Sequence, residues 1–322
     1  MNKSLILLAL CIILSTMIHG QVNPIPISVA FSLDEKDLIP EGITYDSQTR
    51  QFFLSSIYKE KVVAISENGA VSDFIRSKQD SIFESLGMKV DVKNRRLWVL
   101  SNKDIEKGHL SAVHVFNIDS KSLIKKFILL KDEQQLFNDL VLTKEGGAYI
   151  TDTYASRIYT IPSDLSKLEL LLESDSLLKW ANGIAISPDN KILFVASGRH
   201  ITIIDLLTKE MQPIVNPNGI DNFGIDGLVF YKNGLLAVVN GVTSENEIHI
   251  ARYLLSTNLK EIMESSIIDK GNPLFNIPTT CVMVDDDLYC LANTCLNVLN
   301  QKQMKDLEKL QPPMVLKYIL KE

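Results

Sequence analysis

Cysteine and tryptophan are scarce in this chain of 322 residues, which has four Cys and two Trp. Cys11 lies inside an N-terminal apolar run, which leaves Cys281, Cys290 and Cys295 for the folded part. Three thiols allow at most one bridge, so a disulfide scaffold is excluded. In "CVMVDDDLYC" a hairpin turning at Asp285-Asp286 sets Cys281 opposite Cys290, as a bridge or as reduced, buried thiols. Positive charge is also short: 33 Lys and Arg against 39 Asp and Glu give a net charge of −6. Without a basic stripe to neutralise phosphates, a nucleic-acid partner is not expected. The densest lysine patch, "QKQMKDLEKL" at 301–310, mixes both signs and reads as a solvated loop or short helix. Glycine and proline, at 15 and 11, are too few for a fibrous or disordered chain.

A membrane-length apolar run is missing as well. The first 20 residues, "MNKSLILLALCIILSTMIHG", carry Lys3, an apolar run from Leu5 to Leu14, and then smaller and more polar residues. That is the pattern of a signal peptide over 1–20, cleaved near Gly20–Gln21. A bilayer asks for about 20 apolar residues, so the run is too short to span one. The mature chain, 21–322, is expected to be exported (secreted or periplasmic), with no membrane span and a single domain.

Long amphipathic helices are absent before residue 300. Short apolar stretches alternate with turn signals at about ten-residue spacing, which is the all-β pattern. Six stretches share one shape: "PEGITYD", "SLGMKVD", "FNDLVLT", "ANGIAIS", "IDGLVFY" and "PTTCVMV". Their second residues fall at 41, 86, 138, 182, 226 and 279, with gaps of 45, 52, 44, 44 and 53. Each stretch is followed by a second strand, such as "RRLWVLSN" or "KILFVAS", and third strands such as "RIYTIP" come next. Repeats of this length with four strands each predict a six-bladed β-propeller. The last repeat shows three strands ending in "VLKYIL", and "PISVAFSL" at 26–33 is unassigned. That N-terminal strand is expected to complete the sixth blade and remove the exposed edge.

The first strand of each propeller blade lines the central channel, so the repeats bring one residue per blade to the same height. The ring reads Glu41, Leu86, Asn138, Asn182, Asp226 and Thr279. An Asn-Gly pair such as Asn182-Gly183 ordinarily marks a hairpin tip. Here the turn is better placed at Pro188-Asp189-Asn190, which frees Asn182 for the ring. Gly183 then removes a side chain where the backbone crowds the channel. Carboxylate and amide oxygens without His or Cys suit a hard cation, calcium before magnesium, with other divalent cations as competitors. Glu41, Asn138, Asn182 and Asp226 are therefore the candidate metal ligands, and coordination left open could polarise a carbonyl.

The motifs "IPEGITYD" at 39–46, "FNDLVLTKEGGAYITDT" at 137–153, "ANGIAISPDNKILFVAS" at 181–197 and "GIDGLVF" at 224–230 carry a family likeness. Across the whole mature chain the sequence resembles the senescence-marker-protein, gluconolactonase and strictosidine-synthase-like family of six-bladed propellers. The resemblance implies a catalytic calcium on Glu41, Asn138, Asn182 and Asp226, and hydrolysis of a small-molecule lactone or ester. It implies that Asp226 is the base or nucleophile, with Glu41 as the second catalytic carboxylate. Paraoxonases place a His where this chain has Leu86, so a His-assisted mechanism does not carry over. Gly42 rather than an acid follows Glu41, so a second calcium resting on Asp139 would lack one of its acids. His109 and His200 flank strands, and His114 and His249 sit in third strands. Arg95, Arg96, Arg157 and Arg199 fall in turns or loops, which leaves no evident substrate-gripping Arg. Loops 102–112 and 240–247 are the expected substrate determinants. A non-catalytic propeller that binds a ligand or protein is the alternative, and a lyase or condensing enzyme is a third reading.

Overall fold

The computed structural model describes residues 25–240, 248–299 and 310–320. The expected signal peptide at 1–20, residues 241–247 and most of the lysine patch at 301–310 lie outside the described residues. Six four-stranded antiparallel sheets make up the fold, an all-β six-bladed propeller. Helix among the described residues is confined to single 3-10 turns, such as Lys36–Leu38. No helix among them is long and apolar enough to cross a membrane.

The innermost strands are Ile43–Asp46, Glu84–Asp91, Phe137–Leu142, Ile184–Ile186, Ile225–Tyr231 and Cys281–Val284 in blades 1 to 6. Each touches the next, and the sixth touches the first, which closes the ring. The N-terminal strand Ile27–Ser32 pairs with Met314–Ile319 from Ile27–Tyr318 to Ser32–Met314 and completes blade 6, as expected. Phe31 on that strand packs edge to face on Phe52 of blade 1, with ring centroids 5.0 Å apart.

Six apolar clusters hold the blades, one between each neighbouring pair. Trp98, Leu100 and Val113 of blade 2 meet Phe137, Ile150 and Tyr159 of blade 3. Phe194 and Ile203 of blade 4 likewise meet Leu235 and Tyr253 of blade 5. Both faces of most second and third strands are buried, which explains their nearly continuous apolar runs. Exposed apolar residues such as Ile128 and Leu170 fall on outermost strands, which have one neighbour only.

The turns fall where the sequence places them. Asn190 donates its N–H to the Ser187 carbonyl at 2.9 Å with φ +60°, so 188–190 is the hairpin turn and Asn182 is not. Asp285 turns the blade 6 hairpin at φ +54°, and Cys281 pairs across it with Cys290. Both thiols are free and buried. Burial pushes the Cys281 thiol up to about 12, which keeps it unreactive. The expected loop at 102–112 is instead a long hairpin, strands Arg96–Ile105 and Gly108–Asn117, with Lys103 opposite Leu110. His109 accordingly lies within a strand, 2.6 Å from Asp104 through Nδ1.

Candidate active site

Every ring residue stands at the head of its inner strand. In blades 2, 3 and 5 the ladder register slips there, between Ser85 and Met88, Phe137 and Leu140, and Ile225 and Gly227. Such bulges re-aim a side chain out of the regular alternation. Four of the residues after the ring position are glycines, and the reason is close approach. A Cβ on Gly183 would sit 2.3 Å from the Asp226 carbonyl oxygen of the next blade. One on Gly42 would sit 2.4 Å from the Leu86 carbonyl. Gly183 therefore makes room for the neighbouring strand's backbone rather than for the channel, a correction to the sequence reading.

Glu41, Asn138 and Asp226 are buried, at 4%, 7% and 6% exposure. Asn138 donates its amide to the Thr153 hydroxyl at 3.0 Å, and that hydroxyl donates to the Ala181 carbonyl at 2.6 Å. Asn240 donates to the Asp226 carboxylate at 2.8 Å. Thr279 and Thr280 both spend their hydroxyls on the Glu41 backbone carbonyl, at 2.8 and 2.7 Å. Thr279 thus positions Glu41, and Leu86 is buried and apolar. Thr153 and Asn240 escaped the sequence reading, although both sit at the second-strand ends of their repeats.

Three acceptor oxygens at this ring are buried and without a hydrogen-bond donor: Glu41 Oε2, Asn138 Oδ1 and Asn182 Oδ1. Burial pushes Asp226 up to about 6, with Asp139 adding to the rise and the amides of Asn240 and Asn182 opposing it. Burial, then the charges of Asp226 and Asp139, hold Glu41 well above the usual carboxylate range, while Lys89 opposes them. Glu41 in blade 1 and Asp226 in blade 5 thus feel each other. Asp139 itself is paired with the Lys89 ammonium at 3.2 Å. An excess of buried acceptors over donors is the chemistry a hard cation satisfies. No group of three or more His, Cys, Asp or Glu side chains is gathered among the described residues, and two of the four candidate ligands here are amides.

Three of the four arginines singled out in the sequence have structural partners. Arg95 bridges Asp46 and Asp119, Arg157 bridges Glu133 and Glu173, and Arg96 donates to the Ser163 carbonyl.

Residues 39–238 match the family model described as SMP-30/Gluconolactonase/LRE-like region. The chain belongs to this family. A gluconolactonase from Xanthomonas campestris is similar in structure, at 15% identity and TM-score 0.59, over 93% of this chain and 95% of that one. Regucalcin from Agrobacterium tumefaciens, described as a calcium-binding protein, is similar at 13% identity and TM-score 0.59, over 91% and 96%. An aldose sugar dehydrogenase from Streptomyces coelicolor, bound to PQQ, has 9% identity and TM-score 0.60 over 91% and 98%. At such identities the likeness is one of fold, which serves different chemistries. No curated protein matches the chain.

Proposed function

We propose that this family member is a calcium-dependent hydrolase of a small lactone or ester, with the ion held by Glu41, Asn138, Asn182 and Asp226. The observation that carries this reading is the set of three buried acceptors without donors beside the Asp226 carboxylate. Calcium bound there would supply a Lewis acid for a carbonyl oxygen and for the oxyanion that follows. The chain's own residues do the rest. Asp226, fixed by Asn240, takes a proton from water or attacks directly, the two roles open to a carboxylate at that place. Glu41, held through its carbonyl by two threonines, supplies the second carboxylate. Family membership supports a lactonase-type activity. We also place the mature chain outside the cytoplasm, beginning at Gln21, and the mass of the N-terminal peptide from exported protein tests this.

Hydrolysis of sugar, aliphatic and aromatic lactones and of aryl esters, with calcium and with chelator, tests the activity in wild type and Asp226→Ala. Turnover that depends on both calcium and Asp226 is expected. Its absence across the panel removes the enzyme reading. Calcium that raises neither melting temperature nor activity removes the metal. The alternative, a binding propeller without catalysis, draws on the apolar Leu86 and the occupied Thr279 hydroxyl, which thin the polar groups around the ring.

A further inference from the structure

The hydrogen bond from the Thr153 hydroxyl to the Ala181 carbonyl ties blade 3 to blade 4 between two ring amides, Asn138 and Asn182. One residue beyond each end of it is a large aromatic: Tyr154 follows Thr153, and Trp180 precedes Ala181. The two rings meet edge to face, with centroids 5.7 Å apart at 84°. Neither is covered, with Tyr154 48% and Trp180 53% exposed. Trp180 also adopts φ +58°, a left-handed backbone that a bulky residue seldom takes and that costs free energy. Its indole lies against Gly198, where a Cβ would come within 3.0 Å of Trp180 Cδ1. The Gly198 N–H donates to the Lys179 carbonyl at 2.8 Å, and the Ala181 N–H to the carbonyl of buried Leu178 at 3.0 Å. The fold thus holds a strained, half-exposed indole beside the ring instead of burying it in a blade core.

We infer that Tyr154 and Trp180 form an apolar shelf at the ring's rim that selects lactones or esters carrying an aryl or alkyl group over polyhydroxylated sugar lactones. The inference rests on the hydrolase reading. Phe223, 39% exposed, stands three residues before Asp226 and adds apolar surface at the same end of the ring. On its other side Tyr154 borders a polar cleft of about 730 Å³ that also holds Gln134, Ser174, Asp175 and Arg157, the last shared by Glu133 and Glu173, so the apolar surface is confined to the two rings. The two rings offer their apolar surface to an aryl or alkyl group that reaches the rim.

The experiment compares dihydrocoumarin with δ-gluconolactone for wild type, Trp180→Ala and Tyr154→Ala. The expected result is a roughly ten-fold higher KM for dihydrocoumarin in the variants, with kcat and the sugar lactone nearly unchanged. Equal losses on both substrates, or none, overturn the inference. A second readout needs no turnover. The chain has two tryptophans, and Trp98 is fully buried, so binding at the rim is reported by Trp180 fluorescence. The non-hydrolysable lactam 3,4-dihydro-2-quinolinone should quench wild type with 295 nm excitation and leave Trp180→Phe unquenched. No quenching in wild type, or equal quenching in the variant, overturns the shelf. Quenching without any hydrolysis would leave the shelf standing and remove the hydrolase reading.

Discussion

The Asn138 side-chain amide donates to the Thr153 hydroxyl at 3.0 Å, which fixes the amide's orientation and leaves its carbonyl oxygen buried without a donor. Without that hydroxyl the Asn138 amide loses the hydrogen bond that fixes which way its oxygen faces. Thr153→Val keeps the shape and removes the bond, and it also strips the Ala181 carbonyl of its partner. The expected cost is about 1–3 kcal/mol in urea unfolding. Calcium affinity, measured calorimetrically, should fall about ten- to hundred-fold, as for residues that orient metal ligands. An unchanged affinity would detach Asn138 from the metal.

Gly183→Ala tests the packing of inner strands around the axis. The added Cβ would overlap the Asp226 carbonyl oxygen at 2.3 Å, a backbone atom that cannot swing aside. A loss of about 1–3 kcal/mol is expected, as for other overpacked sites, with a lower melting temperature. Gly183 does not have a positive φ, so backbone strain would not account for the loss. Wild-type stability in the variant would show that the blades can spread at this point.

Blade 6 shows how far the sequence alone could be read. At its equivalent of Gly183 stands Thr280, whose hydroxyl bonds the next blade's Glu41 carbonyl, where four of the other five blades use glycine to make room and blade 3 has Asp139. Sequence spacing located the strand head because the repeat period is a chain property, and it placed Glu41, Asn138, Asn182 and Asp226 at equivalent positions. It could not reveal that Thr279 faces a backbone oxygen, since that contact spans 238 residues. Thr153 and Asn240 were hidden for a related reason: their partners lie across a strand pair, 15 and 14 residues away. Nothing in the sequence marks Trp180, because its exposure and left-handed φ are properties of the folded chain.

A pH dependence follows from His114, buried on a third strand and stacked on Phe116 with centroids 5.8 Å apart. Burial, helped by the nearby Lys126 charge, lowers its pKa from 6.5 to about 4. The unfolded chain therefore takes up a proton on this group before the folded one does. The group's contribution to stability is whole above pH 6.5 and is lost as pH falls towards 4, by roughly 3 kcal/mol. Asp226 and Glu41, both raised, act in the opposite sense over part of that range. The difference between wild type and His114→Phe isolates the histidine. Urea unfolding at pH 7.5, 5.5 and 4 should show wild type losing ground to the variant, and parallel curves would contradict the assignment.

Lys89 offers the sharpest electrostatic test. Its ammonium lies 3.2 Å from Asp139, which is 2% exposed, and it is the cation that opposes the rise of Glu41. Lys89→Met would leave a buried carboxylate uncompensated beside two others, at a cost of about 3–5 kcal/mol without metal. Asp139→Asn removes the charge that Lys89 neutralises, so the double variant should recover much of that loss. A coupling of about 1–3 kcal/mol is expected from the four-protein cycle. The more negative ring of Lys89→Met should also draw a divalent cation more strongly, so calcium should raise its melting temperature by more than it raises wild type's. Additive losses in the cycle would mean that Lys89 acts through its aliphatic stem, and an equal calcium shift in both chains would place its charge outside the reach of the Glu41 ring.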